Sequence, residues 1–136
     1  MSPKKILLAE DDIDDQAFLT EFIASRKELH LLPIVENGEE VLHFLDKAQE
    51  TRDLPDIIIL DQNMPRLNGL QTLPLIKGNN AYAHIPVVIY TTNPDERLCN
   101  RSIDAGAAVV FPKPYTPDGY GKLMDVLIDL IEVVPS

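Results

Sequence analysis

Asp56-Ile57-Ile58-Ile59-Leu60-Asp61 is the stretch on which the fold turns. Residues 57–60 are apolar and mostly β-branched, the composition of a strand, and an acid follows where the run stops. Ile6-Leu7-Leu8-Ala9 is a similar run upstream. It has no polar alternation, as in a strand covered on both faces, and it too ends in acids, Glu10-Asp11-Asp12. Leu29 to Val35 reads as a strand whose Pro33 points to a sheet edge. Pro86 to Tyr90 and Ala107 to Phe111 complete five strand candidates.

Helix-period segments fill the gaps. Asp12 is placed to cap a first helix with apolar positions Ile13, Ala17, Phe18, Phe22 and Ile23. Asn37 and Glu40 have capping-box spacing ahead of Val41, Leu42, Phe44, Leu45 and Ala48. Leu70, Leu73 and Ile76 mark a third helix, in which Pro74 predicts a late start or a kink. Asn93-Pro94-Asp95-Glu96 reads as a helix start with Asn93 as cap, and Gly106 as the residue that ends that helix. Thr116-Pro117 opens a last helix with Leu123, Val126, Leu127, Leu130 and Ile131 toward the core, running to Val134.

Five strand–helix repeats joined by right-handed crossovers form an α/β fold, a five-stranded parallel sheet with helices on both faces. The chain of 136 residues is expected to be one domain, residues 1–136, with no second unit. With a net charge of −10 its surface repels phosphate backbones, which disfavours direct nucleic-acid binding. One cysteine, Cys99, excludes an internal disulfide and a cysteine-built zinc site. No run approaches the roughly 20 apolar residues of a membrane span, and too few follow Lys4-Lys5 for a signal peptide. A cytoplasmic protein without membrane insertion is therefore expected. His30, His43 and His84 follow no metal-ligand spacing.

In an open α/β sheet, ligands bind at the carboxyl ends of the strands. There the sequence places Glu10, Asp11 and Asp12, then Asp61, then Thr91 and Thr92, then Lys113. Crowded carboxylates repel one another. A hard divalent cation relieves that, and Mg²⁺ takes oxygen ligands while keeping waters for phosphate. A carboxylate can also attack phosphorus to give an aspartyl phosphate. An ammonium and a hydroxyl would then stabilise phosphoryl charge. Asp12, Asp14 and Asp15 read as helix N-terminal acids, and no glycine-rich cradle for a nucleotide is present.

With these four segments in order, the chain resembles the CheY-like receiver domain of two-component response regulators. The motifs are Ile6 to Asp12, Asp61 to Gly69, Pro86 to Thr92 and Lys113-Pro114-Tyr115, with 30 residues from Asp61 to Thr91 and 52 from Asp61 to Lys113. The resemblance covers essentially the whole chain and implies a flavodoxin-like fold with strand order 2-1-3-4-5. It implies Asp61 as phosphoacceptor, Thr91 as switch hydroxyl and Lys113 as the lysine paired with it. It implies Mg²⁺ held by Asp11, Asp61 and the backbone carbonyl of Asn63, with Glu10 acting through water. Asn63 and Asn93 match the positions that tune dephosphorylation, and the Lys113–Pro114 bond is typically cis in the family. The usual aromatic three residues before the lysine is Val110 here, with Phe111 or Tyr90 as candidate substitutes.

The function implied is a stand-alone phosphorylation switch rather than an enzyme acting on other substrates. Its partners would be a sensor histidine kinase or phosphotransfer protein and a downstream protein target, docking on the fourth helix, fifth strand and fifth helix. The switch would be a monomer or a phosphorylation-linked dimer. A phosphorelay intermediate or phosphate sink is the alternative within the fold. An aspartate-nucleophile phosphatase would want an acid where Asn63 stands. A flavodoxin-like cofactor carrier would want phosphate-binding hydroxyls and amides where the acids stand, and a pseudo-receiver would have lost the acceptor or acidic pair.

Overall fold

The computed structural model describes residues 2–133, without the side chain of residue 133. Strands and helices alternate: β1 Lys4–Ala9, α1 Ile13–Ala24, β2 Leu29–Leu31, α2 Gly38–Glu50, β3 Ile57–Asp61, α3 Gly69–Lys77, β4 Val87–Thr91, α4 Glu96–Asp104, β5 Val109–Pro112 and α5 Pro117–Val133. The expected end of α5 at Val134 lies outside the described residues. The sheet is parallel throughout with order β2-β1-β3-β4-β5, as the resemblance implied.

Successive strand residues point to opposite faces, and the two cores follow that alternation. Ile6, Leu8, Ile57, Ile59, Val88 and Tyr90 pack with Leu19 and Ile23 of α1 and with Leu123, Met124 and Leu127 of α5. On the other face, Leu7, Ile58, Leu60 and Ile89 pack with Val41 and Leu45 of α2 and with Leu73 and Ile76 of α3. Every residue of β3 and β4 is buried, which is why those strands read as unbroken apolar runs.

The structure departs from the expected elements in five places. β2 stops at Leu31, and only an isolated bridge, Ala9 to Val35, continues the pairing. Pro33 falls in this gap on an edge strand, where a missing N–H costs least. α3 starts at Gly69 despite Pro74, because Asn68 and Gln71 form a reciprocal capping box that fixes the start. At α2, Asn37 accepts from the Glu40 N–H, but the Glu40 carboxylate accepts from the Glu36 N–H and the Asn37 side-chain amide instead of the Asn37 backbone N–H. The cap of α4 is Asp95, whose Oδ1 accepts from Leu98 N at 2.8 Å, and Asn93 stays outside the helix. Asn93 is tied back to the end of β4, its N–H donating to Thr91 Oγ1 at 3.3 Å. Finally, no described peptide bond is cis, so Lys113–Pro114 is trans.

The inward face of α1 also differs from the expected stripe. Ile13 is 79% exposed and Phe18 48%, while Leu19 and Ile23 are buried. Phe22 is half-buried and stacks on Tyr120 of α5, ring centroids 4.7 Å apart. Asp15, Leu19, Phe22 and Ile23 thus share the inward side at three-to-four spacing. That phase brings a carboxylate, Asp15, toward the carboxyl end of the sheet.

Candidate functional site

The parallel register brings the strand ends level. Ala9 pairs with Leu60, Asp61 with Tyr90, and Thr91 with Pro112. Asp61 ends β3, and Glu10 and Lys113 each lie one residue past the end of their strands, so the three reach the same edge. Gly69 keeps the loop after β3 tight: a Cβ there would meet the Asp61 carbonyl oxygen at 3.0 Å and Gln62 Cα at 3.2 Å. The Gln62 side chain accepts from Leu70 N at 2.8 Å and ties the start of α3 to the strand end.

Asp61 is 1% exposed. Its Oδ1 accepts from Asn63 N at 3.1 Å, and its Oδ2 accepts from Lys113 Nζ at 3.0 Å. Lys113 Nζ also lies 3.0 Å from Glu10 Oε1 and 3.0 Å from Asp15 Oδ2. It sits over the Tyr90 ring, 4.9 Å from the centroid, a cation–π arrangement. Burial alone would lower the Lys113 pKa, but the carboxylates of Asp15, Asp61 and Glu10 outweigh it and push the ammonium above the ordinary lysine value. Lys113 is therefore charged at any physiological pH.

Glu10 is fully buried. Its Oε2 accepts from Asp12 N at 3.0 Å, and its Oε1 accepts from the Tyr90 hydroxyl. Burial first, and then the adjoining Asp61, raise its pKa, while the Tyr90 and Asp12 hydrogen bonds hold it down. The Tyr90 phenol is pushed well above its usual range by burial and by the Glu10 charge. Carboxylate oxygens of Glu10, Asp11 and Asp61 lie within 4.8 Å of one another. Three oxygen donors so close, with Asp11 exposed to solvent, match what a hard, partly hydrated divalent ion needs.

The sequence-predicted residues thus converge, with differences. Glu10, Asp11, Asp61 and Lys113 form one cluster, and exposed Asn63 borders it through its backbone N–H. Thr91 is buried at the end of β4, its carbonyl accepting from Lys113 N at 2.8 Å. Its Oγ1 accepts from Asn93 N at 3.3 Å rather than meeting Asp61. Val110 packs into the core beneath α2 and α3. Phe111 and Tyr90 pack on the α1–α5 face, so neither occupies the space that an aromatic at position 110 would use. Sequence reasoning missed two contacts. Asp15 reads along the chain only as a helix-start acid, although its three-to-four spacing with Leu19, Phe22 and Ile23 marks the inward face. Tyr90 enters the sequence reading only as a substitute aromatic, although a tyrosine in an apolar strand calls for a partner for its hydroxyl.

Residues 6–124 match the sequence profile of the response regulator receiver domain. The chain belongs to that family. Receiver domains serve two-component signalling as phosphorylation-dependent switches, and they bind Mg²⁺ or Mn²⁺ at an acidic pocket. The response regulator Rcp1 of Synechocystis sp. is 35% identical over 96 residues, spanning 69% of this chain and 65% of that protein. Other curated relatives, a protein-glutamate methylesterase and a sensor histidine kinase, are matched over 38% and 11% of their lengths. The chain thus spans less than two thirds of the length of these relatives. Among solved structures, the Mn²⁺-bound form of Rcp1 superposes with a TM-score of 0.82 at 27% identity, covering 98% of this receiver and 100% of that chain. The phosphorylated cyanobacterial phytochrome response regulator RcpA superposes with a TM-score of 0.83 at 26% identity, covering 98% and 97%. Among the described residues, no helix of the receiver is long and apolar enough to cross a membrane.

Proposed function

We propose that Asp61 accepts a phosphoryl group from a phosphohistidine on a histidine kinase or phosphotransfer protein. The observation that carries this is the Lys113 ammonium 3.0 Å from Asp61 Oδ2, beside three carboxylates whose oxygens lie within 4.8 Å of one another. An Asp61 oxygen forms the new O–P bond as the donor's N–P bond breaks, and the imidazole leaves with the electron pair. Asn63 N, bonded to Asp61 Oδ1, fixes the carboxylate's rotation. Lys113 balances the charge that the phosphoryl oxygens bring, and its distance from Asp61 makes this a contact already formed. The Thr91 hydroxyl, one residue past the partner of Asp61 in the register, is the group that moves to a phosphoryl oxygen.

Glu10, Asp11, Asp61 and the Asn63 carbonyl would hold Mg²⁺. When bound, the ion supplies positive charge to the attacking carboxylate and the transferred group. The working unit is the single domain of residues 1–136, because β1, β3, β4 and β5 each deliver part of the site. It catalyses only its own phosphorylation and dephosphorylation, acts in the cytoplasm, and alters a surface that a downstream protein reads. Nothing at the site favours a relay or sink over this reading.

The test is intact mass after incubation with acetyl phosphate, with and without Mg²⁺, beside Asp61→Asn. The expected result is a Mg²⁺-dependent gain of one phosphoryl group that the variant lacks. Equal labelling of Asp61→Asn would overturn the assignment.

A further inference from the structure

Lys113 is shared among more acids than a phosphoacceptor site requires. Asp61 and Glu10 account for two of its carboxylate contacts, and Asp15 supplies a third at 3.0 Å. Asp15 stands outside the group of oxygens that could hold a cation, which comprises Glu10, Asp11 and Asp61. It faces the lysine and not the metal position.

The way Asp15 is held is specific. It is the third residue of α1, and its N–H donates to the capping Asp12 Oδ1 at 3.0 Å. In a capping box, an acid at this position returns its side chain to the cap residue's N–H. Here the Asp12 N–H is taken by Glu10 Oε2 at 3.0 Å. The Asp15 carboxylate is thereby released from the helix start and turned onto Lys113, whose side chain is only 11% exposed. Glu10 arranges this from one side while contacting the same lysine from the other.

We propose that Asp15 is a positioning residue for phosphoryl transfer: in the unphosphorylated protein it neutralises part of the Lys113 charge, and the incoming phosphoryl group must compete with it for that charge. This rests on Asp61 being the phosphoacceptor. Masking Lys113 has opposite consequences for the two ions the site handles. A divalent cation binds more readily beside a neutralised lysine, and a phosphoryl anion less readily. Asp15 therefore favours the metal-loaded, unphosphorylated state and slows phosphoryl transfer.

The test compares wild type, Asp15→Asn and Asp14→Asn. Asp14 carries the same charge in the same turn but is exposed and makes no contact with Lys113 among the described residues. Magnesium chloride affinity is measured by calorimetry without phosphodonor. The labelling rate with acetyl phosphate is measured by intact mass at saturating Mg²⁺. Asp15→Asn is expected to weaken Mg²⁺ binding and to speed labelling, each about threefold to tenfold for one charge at a partly solvated site, with Asp14→Asn near wild type. Opposite shifts on cation and anion are what a structural defect would not produce. The inference is overturned if Asp15→Asn moves both quantities down, moves neither, or is matched by Asp14→Asn. A second arm places Asp15→Asn in Lys113→Met and reads Mg²⁺ affinity. If Asp15 acts through the lysine, the Mg²⁺ shift shrinks to that of Asp14→Asn there. An undiminished shift overturns the inference. If wild type itself takes no phosphoryl group, the phosphoacceptor reading has failed, and the calorimetric arms still decide whether Asp15 masks Lys113.

Discussion

Tyr90→Phe removes one oxygen and keeps the ring. The ring is 1% exposed and central to the α1–α5 core, so packing volume and the cation–π face under Lys113 are retained. What is lost is the donor to Glu10 Oε1, a fully buried carboxylate. A hydrogen bond to a charged group contributes about 1.5–3 kcal/mol, and leaving a buried acceptor unpaired incurs its desolvation. With a urea slope of about 2 kcal/mol per M for a domain of this size, the midpoint should fall by about 0.7–1.5 M. The assay is equilibrium urea unfolding followed by far-UV circular dichroism, metal-free, at pH 7. A second reading fixes the cause. Tyr90 bonds the ionised carboxylate and lowers the Glu10 pKa, against burial that raises it above 4.5. As acidification protonates that carboxyl in the folded protein, the gap between wild type and variant should narrow. An unchanged midpoint, or a gap that widens toward pH 4, would refute the Tyr90–Glu10 contact as the source.

Three further outcomes follow from the same geometry. Tyr90 has a folded-state pKa above the ordinary 10.0, so above pH 10 the unfolded chain ionises this phenol first and stability falls. Absorbance at 295 nm should show this tyrosine titrating only with cooperative alkaline unfolding. Lys113 has a folded-state value above 10.5, so its stabilisation is fully present at neutral pH and is lost as pH rises through that value. Lys113→Met should cost about 3 kcal/mol at pH 7, because it leaves buried carboxylates unpaired, and saturating Mg²⁺ should recover part of this in urea unfolding. Gly38→Ala tests packing beside the site. An exposed helix would gain about 1 kcal/mol from the change, but a Cβ at Gly38 would lie 1.9 Å from Thr72 Oγ1 and 2.6 Å from Leu67 Cβ. A net loss of about 1–3 kcal/mol is expected from such overpacking, and an unchanged or raised thermal midpoint would count against the close approach of α2 to the start of α3.

Much of this receiver is legible along the chain because its signals are local. The runs at Ile6 to Ala9 and Ile57 to Leu60 are apolar without alternation because both sheet faces are covered, and that pattern survives with no knowledge of partners. Glu10, Asp61 and Lys113 could be placed at one edge because each directly follows or ends a strand, and parallel register makes strand ends coincide. Where a helix starts was less legible. Asn93 and Asp95 both suit a cap, and the choice fell to Asp95 through its bond to Leu98 N.

The strand–helix alternation, the parallel sheet and the convergence of Glu10, Asp11, Asp61 and Lys113 can all be read along the chain. Only the tertiary structure decided how the lysine's charge is divided. Helical spacing allows α1 several inward faces, and the packing of Leu19, Phe22 and Ile23 against the sheet and α5 selected the one that carries Asp15 to Lys113. Strand alternation put Tyr90 on the α1–α5 face, but its hydroxyl found Glu10 because β1 and β4 both border β3. These contacts join residues 80 and 98 positions apart. Their geometry depends on rotations and translations of whole elements, to which no local pattern is sensitive.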